Sequence, residues 1–83
     1  MKPTIGRVII YKPTEAEQNE MKFNLVTLQS CNKQVELPGI VVAVWGESTI
    51  NAQVFLDGHP GLLWKTSITQ GDGEGQWNWP VKV

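Results

Sequence analysis

The sequence predicts an all-β protein, a small SH3-like or OB-like barrel of five to six antiparallel strands. Short segments rich in β-branched and aromatic residues recur along the chain, separated by tight-turn sequences. In the clearest of these segments apolar and polar residues alternate, which is the period of a strand with one buried face. The chain has 83 residues, a length that supports one domain. We therefore expect residues 1–83 to form a single barrel domain.

The predicted strands follow one another closely except at an irregular insertion of about residues 12–34. Segment 39–45 is apolar on both faces, so we expect it at the centre of a closed barrel or covered by another subunit. Within the insertion, Thr14 and Glu17 are spaced as in a capping box, which predicts either one or two helical turns or an irregular loop. The predicted strands are 5–11, 23–28, 39–45, 50–56, 62–69 and 76–79, with turns at 30–33, 46–49, 57–61 and 70–75.

Composition and charge exclude several classes of protein. Seven basic and eight acidic residues give a net charge of −1, without the basic excess of a duplex nucleic-acid binder. No apolar run approaches the ~20 residues of a membrane-spanning helix. One cysteine and one histidine supply neither an internal disulfide nor the four ligands of a structural zinc site. Since chains this short usually need some such reinforcement, we expect a homo-oligomer.

No residue pattern indicates catalysis. His59 lies between glycine and proline at a predicted turn, with no serine or cysteine beside it to activate. Cys31 has no neighbouring histidine, and no acidic pair has the spacing of a general acid and base. The segment 71–75 lacks the Gly-Lys-Ser/Thr ending of a phosphate-binding loop. The sequence therefore predicts a non-enzymatic protein with no catalytic residue, no metal and no cofactor.

Two tryptophans near the end of the chain are candidate ligand-binding residues. Trp77 and Trp79 are two positions apart, so on a strand their rings lie on one face. Such a pair can stack on a planar ligand, with ~1–3 kcal/mol for each stacked base. The alternative is that both rings fill the core or a subunit interface, because a small core needs their area.

Two basic side chains are candidate partners for an anion. Arg7, the only arginine, lies in an otherwise apolar strand, and its planar guanidinium suits phosphate oxygens. Lys65 follows Trp64 on a predicted strand and could contribute a second positive charge. The alternative is a solvated lysine and a surface ion pair.

Four polar side chains complete the candidate site. Asn51 and Gln53 form a polar row on one strand face, and their amides can read the hydrogen-bonding edge of a base or a peptide backbone. Thr66 and Ser67 add hydroxyl groups on opposite faces of the next strand. The alternative for the row is an ordinary solvated face.

The chain resembles a family of short phage and prophage proteins over most of its length outside residues 12–34. The pattern that carries the resemblance consists of Gly6-Arg7-Val8-Ile9, Leu37-Pro38, Ile40-Val41-Val42, Val44-Trp45, Asn51, Gln53-Val54-Phe55, Asp57-Gly58, Trp64, Thr66-Ser67 and Gly75-Gln76-Trp77-Asn78-Trp79-Pro80. The resemblance implies phage origin and action in the bacterial host cytoplasm, and it brings no established activity. The lone cysteine agrees with such a reducing compartment.

Two functions are compatible with these observations. In the first, an oligomer captures a small nucleotide-like anion without turnover and so sequesters an immune signal of the host. In the second, the chain is a protein-interaction module, either an inhibitor of a host enzyme or a small structural phage protein. A pocket that combines Arg7 with a tryptophan would favour the first, and a flat apolar face away from Arg7 would favour the second.

Overall fold

The computed structural model describes residues 2–22, 35–56 and 62–81 of the chain. These residues form five antiparallel strands and one short helix, so the predicted all-β class is confirmed. The elements are β1 (Val8–Tyr11), α1 (Glu15–Lys22), β2 (Leu37–Val44), β3 (Thr49–Phe55), β4 (Leu62–Thr69) and β5 (Trp77–Asn78).

The strands form one sheet that curls into a half-barrel. Their spatial order is β4-β3-β2-β1-β5, so β1 to β4 are a meander and β5 returns to pair with β1. At one end of the barrel Gln70, which follows β4, forms a bridge to Trp77 in β5. The carbonyl of Ser48 accepts from the Gln70 backbone N–H at 3.0 Å and from the Trp77 indole N–H at 2.9 Å. These bonds bring the two edge strands of the sheet together.

The concave side of the sheet holds the core. Alternate residues of each strand point inward, and in β3 the apolar residues Ile50, Ala52 and Val54 are all buried in this layer. Gly39 lies in the same layer, where a Cβ atom would come within 2.9 Å of the Gln53 carbonyl oxygen. The buried apolar residues are Ile9, Tyr11, Leu37, Val41, Ile50, Ala52, Val54, Ile68 and Trp77.

The observed limits of every described strand except β4 differ from the predicted ones by one to three residues. The first strand begins at Val8 rather than at residue 5, because Gly6 has φ = 93° and forms a turn. Strand β2 begins two residues before the predicted strand 39–45, at Leu37, and ends one residue before it, at Val44. The limits of β4 agree with the prediction. The predicted strand 23–28 and the predicted turns 30–33 and 57–61 lie outside the described residues.

The capping box of Thr14 and Glu17 begins helix α1. Of the two predicted alternatives, helical turns or an irregular loop, the structure contains the helical turns. The Glu17 N–H donates to Thr14 Oγ1 at 3.2 Å, and the Glu17 carboxylate accepts from the Thr14 N–H at 3.0 Å. This reciprocal pair satisfies two backbone donors at the start of α1. Among the described residues, no helix is long and apolar enough to cross a membrane.

Candidate functional site

The convex side of the sheet carries a contiguous set of uncharged side chains. Cross-strand partners lie on the same side of a sheet, and the register pairs Ile40 with Gln53, Gln53 with Trp64, and Phe55 with Leu62. These positions alternate with the core residues, so they face outward. The surface, called here the outer face, comprises Val8, Ile40, Trp45, Asn51, Gln53, Phe55, Leu62, Trp64 and Thr66.

Large apolar side chains of the outer face are exposed. Trp45 is 66% exposed, Trp64 55%, Leu62 51% and Phe55 41%. An aromatic side chain carries ~150–250 Å² of buriable surface, so the three rings together expose ~300 Å². That area already reaches the ~300–600 Å² of the largest apolar patch on a typical monomer, which is often functional. The outer face therefore carries an apolar patch as large as the largest one on a typical monomer.

Asn51 organises the polar part of this face. Its Oδ1 accepts from the Trp45 indole N–H at 2.9 Å, from the Thr66 hydroxyl at 3.1 Å and from the Ser67 backbone N–H at 2.8 Å. Although it is an outward position, Asn51 is buried, because these neighbours surround it. Trp45, Asn51, Thr66 and Ser67, called here the Asn51 cluster, thus fix the orientation of an exposed indole.

The backbone departs from regular geometry on both sides of Asn51. Between β2 and β3 the register shifts so that Val42 is an extra residue, and between β3 and β4 Asn51 lies opposite both Thr66 and Ser67. Ser67 has φ = 53°, the only positive φ of a non-glycine residue in the described ranges. Bulges are frequent beside functional sites, and a left-handed non-glycine residue costs ~1–3 kcal/mol. The two bulges and the left-handed residue Ser67 therefore all lie in or beside the Asn51 cluster.

Lys65 is placed on the other side of the sheet. It pairs with Ala52 in the inward layer, and its Nζ lies 3.0 Å from Glu17 Oε2 and 5.6 Å from the centroid of the Tyr11 ring. Tyr11 also donates its hydroxyl to Glu17. Lys65 is therefore not the solvated lysine of the alternative interpretation, because its ammonium forms a largely buried ion pair that joins α1 to the barrel.

The surroundings of Glu17 change the acidity of this group and of Tyr11. Burial by itself raises the pKa of Glu17, but the Thr14 N–H, the Tyr11 hydroxyl and the Lys65 ammonium outweigh it, so the pKa lies below its usual value. Burial, the hydrogen bond and the charge of Glu17 raise the pKa of Tyr11. Glu17 is therefore held ionised and Tyr11 neutral, which suits an anchor between two elements.

The other three predicted residues lie together at the β5 side of the barrel. Trp77 is fully buried and donates to Ser48, so the structure places it in the core, the alternative that the sequence left open. Trp79 is half-buried, and its ring meets that of Trp77 edge-on at 5.1 Å. The Arg7 guanidinium lies 5.6 Å from the centroid of the Trp79 ring. The predicted charge and the predicted polar row are thus in different places.

A groove next to Trp79 has mixed charge. Its volume is about 360 Å³, and its walls include Lys12, Glu36, Asp72, Asn78 and Trp79. The Lys12 ammonium already donates to the Asp72 carbonyl at 2.9 Å. The groove therefore has two carboxylates and one ammonium group, and that ammonium group already has a hydrogen-bond partner. The Arg7 side chain is not part of the lining. A second groove of similar volume shares Lys12, Glu36 and Asp72 with it.

The sequence reasoning did not select two tryptophans that the structure brings into the site. Trp45 and Trp64 are the most exposed rings of the outer face. The alternation of β3 already put Asn51, Gln53 and Phe55 on one face, and pairing this strand with its neighbour would have placed Trp64 beside Gln53. That pairing depends on a register with a bulge, which the sequence does not specify.

Comparisons with known proteins yield no match among protein families, curated proteins or solved structures. Within residues 2–22, 35–56 and 62–81, no group of three or more His, Cys, Asp or Glu side chains could hold a metal ion. The outer face with the Asn51 cluster and the groove beside Trp79 are the candidate binding surfaces among the described residues.

Proposed function

We propose that this chain is a non-enzymatic binding protein that acts through its outer face, as a protein-interaction module. The observation that supports it is the exposed, uncharged surface around Trp45, Phe55 and Trp64. Aromatic residues are enriched at the centres of protein interfaces, where charged residues are depleted. In the phage setting implied by the resemblance, the partner is a protein of the bacterial cytoplasm: a host enzyme, a phage structural protein or a second copy of this chain.

The Asn51 cluster prepares this surface for binding. A free tryptophan side chain loses rotamer freedom when a partner covers it, which reduces affinity. The hydrogen bond of 2.9 Å from the Trp45 indole to Asn51 holds this ring in one orientation before the partner arrives. Preorganised aromatic anchors of this kind are typical binding hot spots.

Site-specific crosslinking tests the proposal. A photoreactive amino acid replaces Trp64 in one variant and Gln18, which lies on α1, in a matched control. In host cells, we expect the variant at position 64 to form an adduct with a protein and the variant at position 18 to form none. Excess wild-type chain should compete the adduct, whereas excess Trp64→Ala chain should not. Equal adducts from both positions would contradict the proposal.

A second candidate, sequestration of a nucleotide-like anion, is favoured by one observation. The half-buried Trp79 ring and the Arg7 guanidinium are neighbours at 5.6 Å, so charge and an aromatic ring do meet. The carboxylates of Glu36 and Asp72 in the adjoining groove oppose an anion. Thermal shift with cyclic di- and trinucleotides and adenosine-diphosphate-ribose derivatives decides between the two functions. A raised Tm that Arg7→Ala abolishes would select sequestration.

A further inference from the structure

The outer face is suited to meet a second copy of itself. In a two-fold symmetric interface the same patch contributes from both subunits, so any charge near the axis faces its own copy. None of the nine side chains of the outer face is ionisable. A surface of this kind can pair with itself without repulsion between like charges.

The exposed area is of the size that a dimer interface needs. Leu62 and Val8, 51% and 53% exposed, extend the apolar surface of the three rings to ~400 Å² for each copy. Two copies would bury ~800 Å² of apolar surface, and interfaces are ~60–65% apolar. The total of ~1,300 Å² lies at the lower end of stable, specific interfaces.

Gln53 occupies the middle of this face. It lies in β3, which has β2 on one side and β4 on the other, and its cross-strand partners are Ile40 and Trp64. Along the same strand, Asn51 and Phe55 flank it on the same side. A primary amide carries both donors and an acceptor, so two such groups related by a two-fold axis can bond to each other.

We propose that a second copy of this chain covers the outer face, with the two Gln53 amides meeting at a two-fold axis. The two convex faces meet around this axis. Trp64 and Phe55 of one protomer lie against the apolar side chains of its partner. This inference rests on the proposed function, because it identifies the protein that the outer face binds.

Substitutions that introduce a negative or a positive charge at position 53 test whether the two Gln53 side chains face each other across the two-fold axis. Sedimentation velocity between about 1 and 100 μM is measured for the wild-type chain, for Gln53→Glu, for Gln53→Lys and for an equimolar mixture of the two variants. We expect the wild-type chain to dimerise and each variant alone to dissociate, with the Kd raised at least ~100-fold by the facing like charges. The mixture should dimerise again, because the two charges then have opposite signs. The control Thr4→Glu adds the same charge at an exposed position outside the face and should dimerise as the wild type does.

The outcomes separate this inference from the proposed function. A monomeric wild-type chain, or a mixture that stays monomeric while both variants keep the wild-type circular dichroism spectrum, overturns the dimer. If position 64 still gives a specific adduct with another protein in cells, the interaction module stands without the dimer. If position 64 gives no specific adduct either, both proposals fail.

Discussion

Replacement of Asn51 by alanine is expected to destabilise the fold more than is usual for the substitution of a residue that faces outward. The change removes one oxygen that accepts three hydrogen bonds, from Trp45, Thr66 and Ser67. Each such bond contributes ~0.5–1.5 kcal/mol net, and a buried donor left unpaired costs more. We therefore expect Asn51→Ala to lower the free energy of unfolding by ~2–4 kcal/mol. For a domain of this size that corresponds to a decrease in Tm of ~10–25 °C.

Urea denaturation followed by tryptophan fluorescence measures this change, at one protein concentration because association adds stability. Asn51→Asp keeps the accepting oxygen, so it should lose less than half as much stability as Asn51→Ala. Asn19→Ala, a change of the same residue type at an exposed position on α1, serves as the control. A loss below ~0.5 kcal/mol for Asn51→Ala would place it among ordinary surface changes and refute the role assigned to the Asn51 cluster. An Asn51→Asp variant as unstable as Asn51→Ala would refute the hydrogen-bond explanation.

Four further predictions follow from individual residues. Ser67→Gly should leave the Tm unchanged or raise it, because glycine adopts φ = 53° without the ~1–2 kcal/mol cost of a Cβ; a clear decrease would contradict this. The pKa of Glu17 is lowered in the fold, so its carboxylate stabilises the fold above the unfolded pKa and loses that contribution as the pH falls through the folded pKa. In urea titrations the stability difference between wild type and Glu17→Gln should therefore shrink from about pH 7 to about pH 3, and a constant difference would be evidence against it. Trp77→Ala should cost ~3–5 kcal/mol of unfolding free energy as a core truncation, a value that calorimetry can check. His59→Ala and Cys31→Ser should preserve the biological effect in host cells, and loss of that effect in a folded variant would revive an enzymatic interpretation.

The parts of the fold that local chemistry determines were predicted well. The limits of β4 and the alternation of β3 follow from hydrophobic periodicity. The capping box at Thr14 and Glu17 follows from residue spacing within one helical turn. In each case the residues that decide the structure are close together in the sequence.

The parts of the site that depend on long-range pairing could not be predicted. Asn51 meets Ser67 only because a bulge shifts the register between β3 and β4, and a shift of one residue changes which side chains share a face. Lys65 was assigned to an anion site, yet its carboxylate partner Glu17 lies 48 residues earlier in the chain. A sequence shows that a charge needs a partner without showing which distant group supplies it.

The position of the irregular backbone also favours a binding role over a purely structural one. A curled sheet needs bulges, and bulges alone would account for Val42 and for the shift at Thr66. Curvature does not require an exposed tryptophan whose indole N–H is bonded to the residue between two bulges. An exposed ring gains little stability for the fold from its unburied surface, while a fixed orientation reduces the entropy lost when a partner covers it. The arrangement around Asn51 therefore supports the proposal that Trp45 is held in one orientation for a partner that covers the outer face.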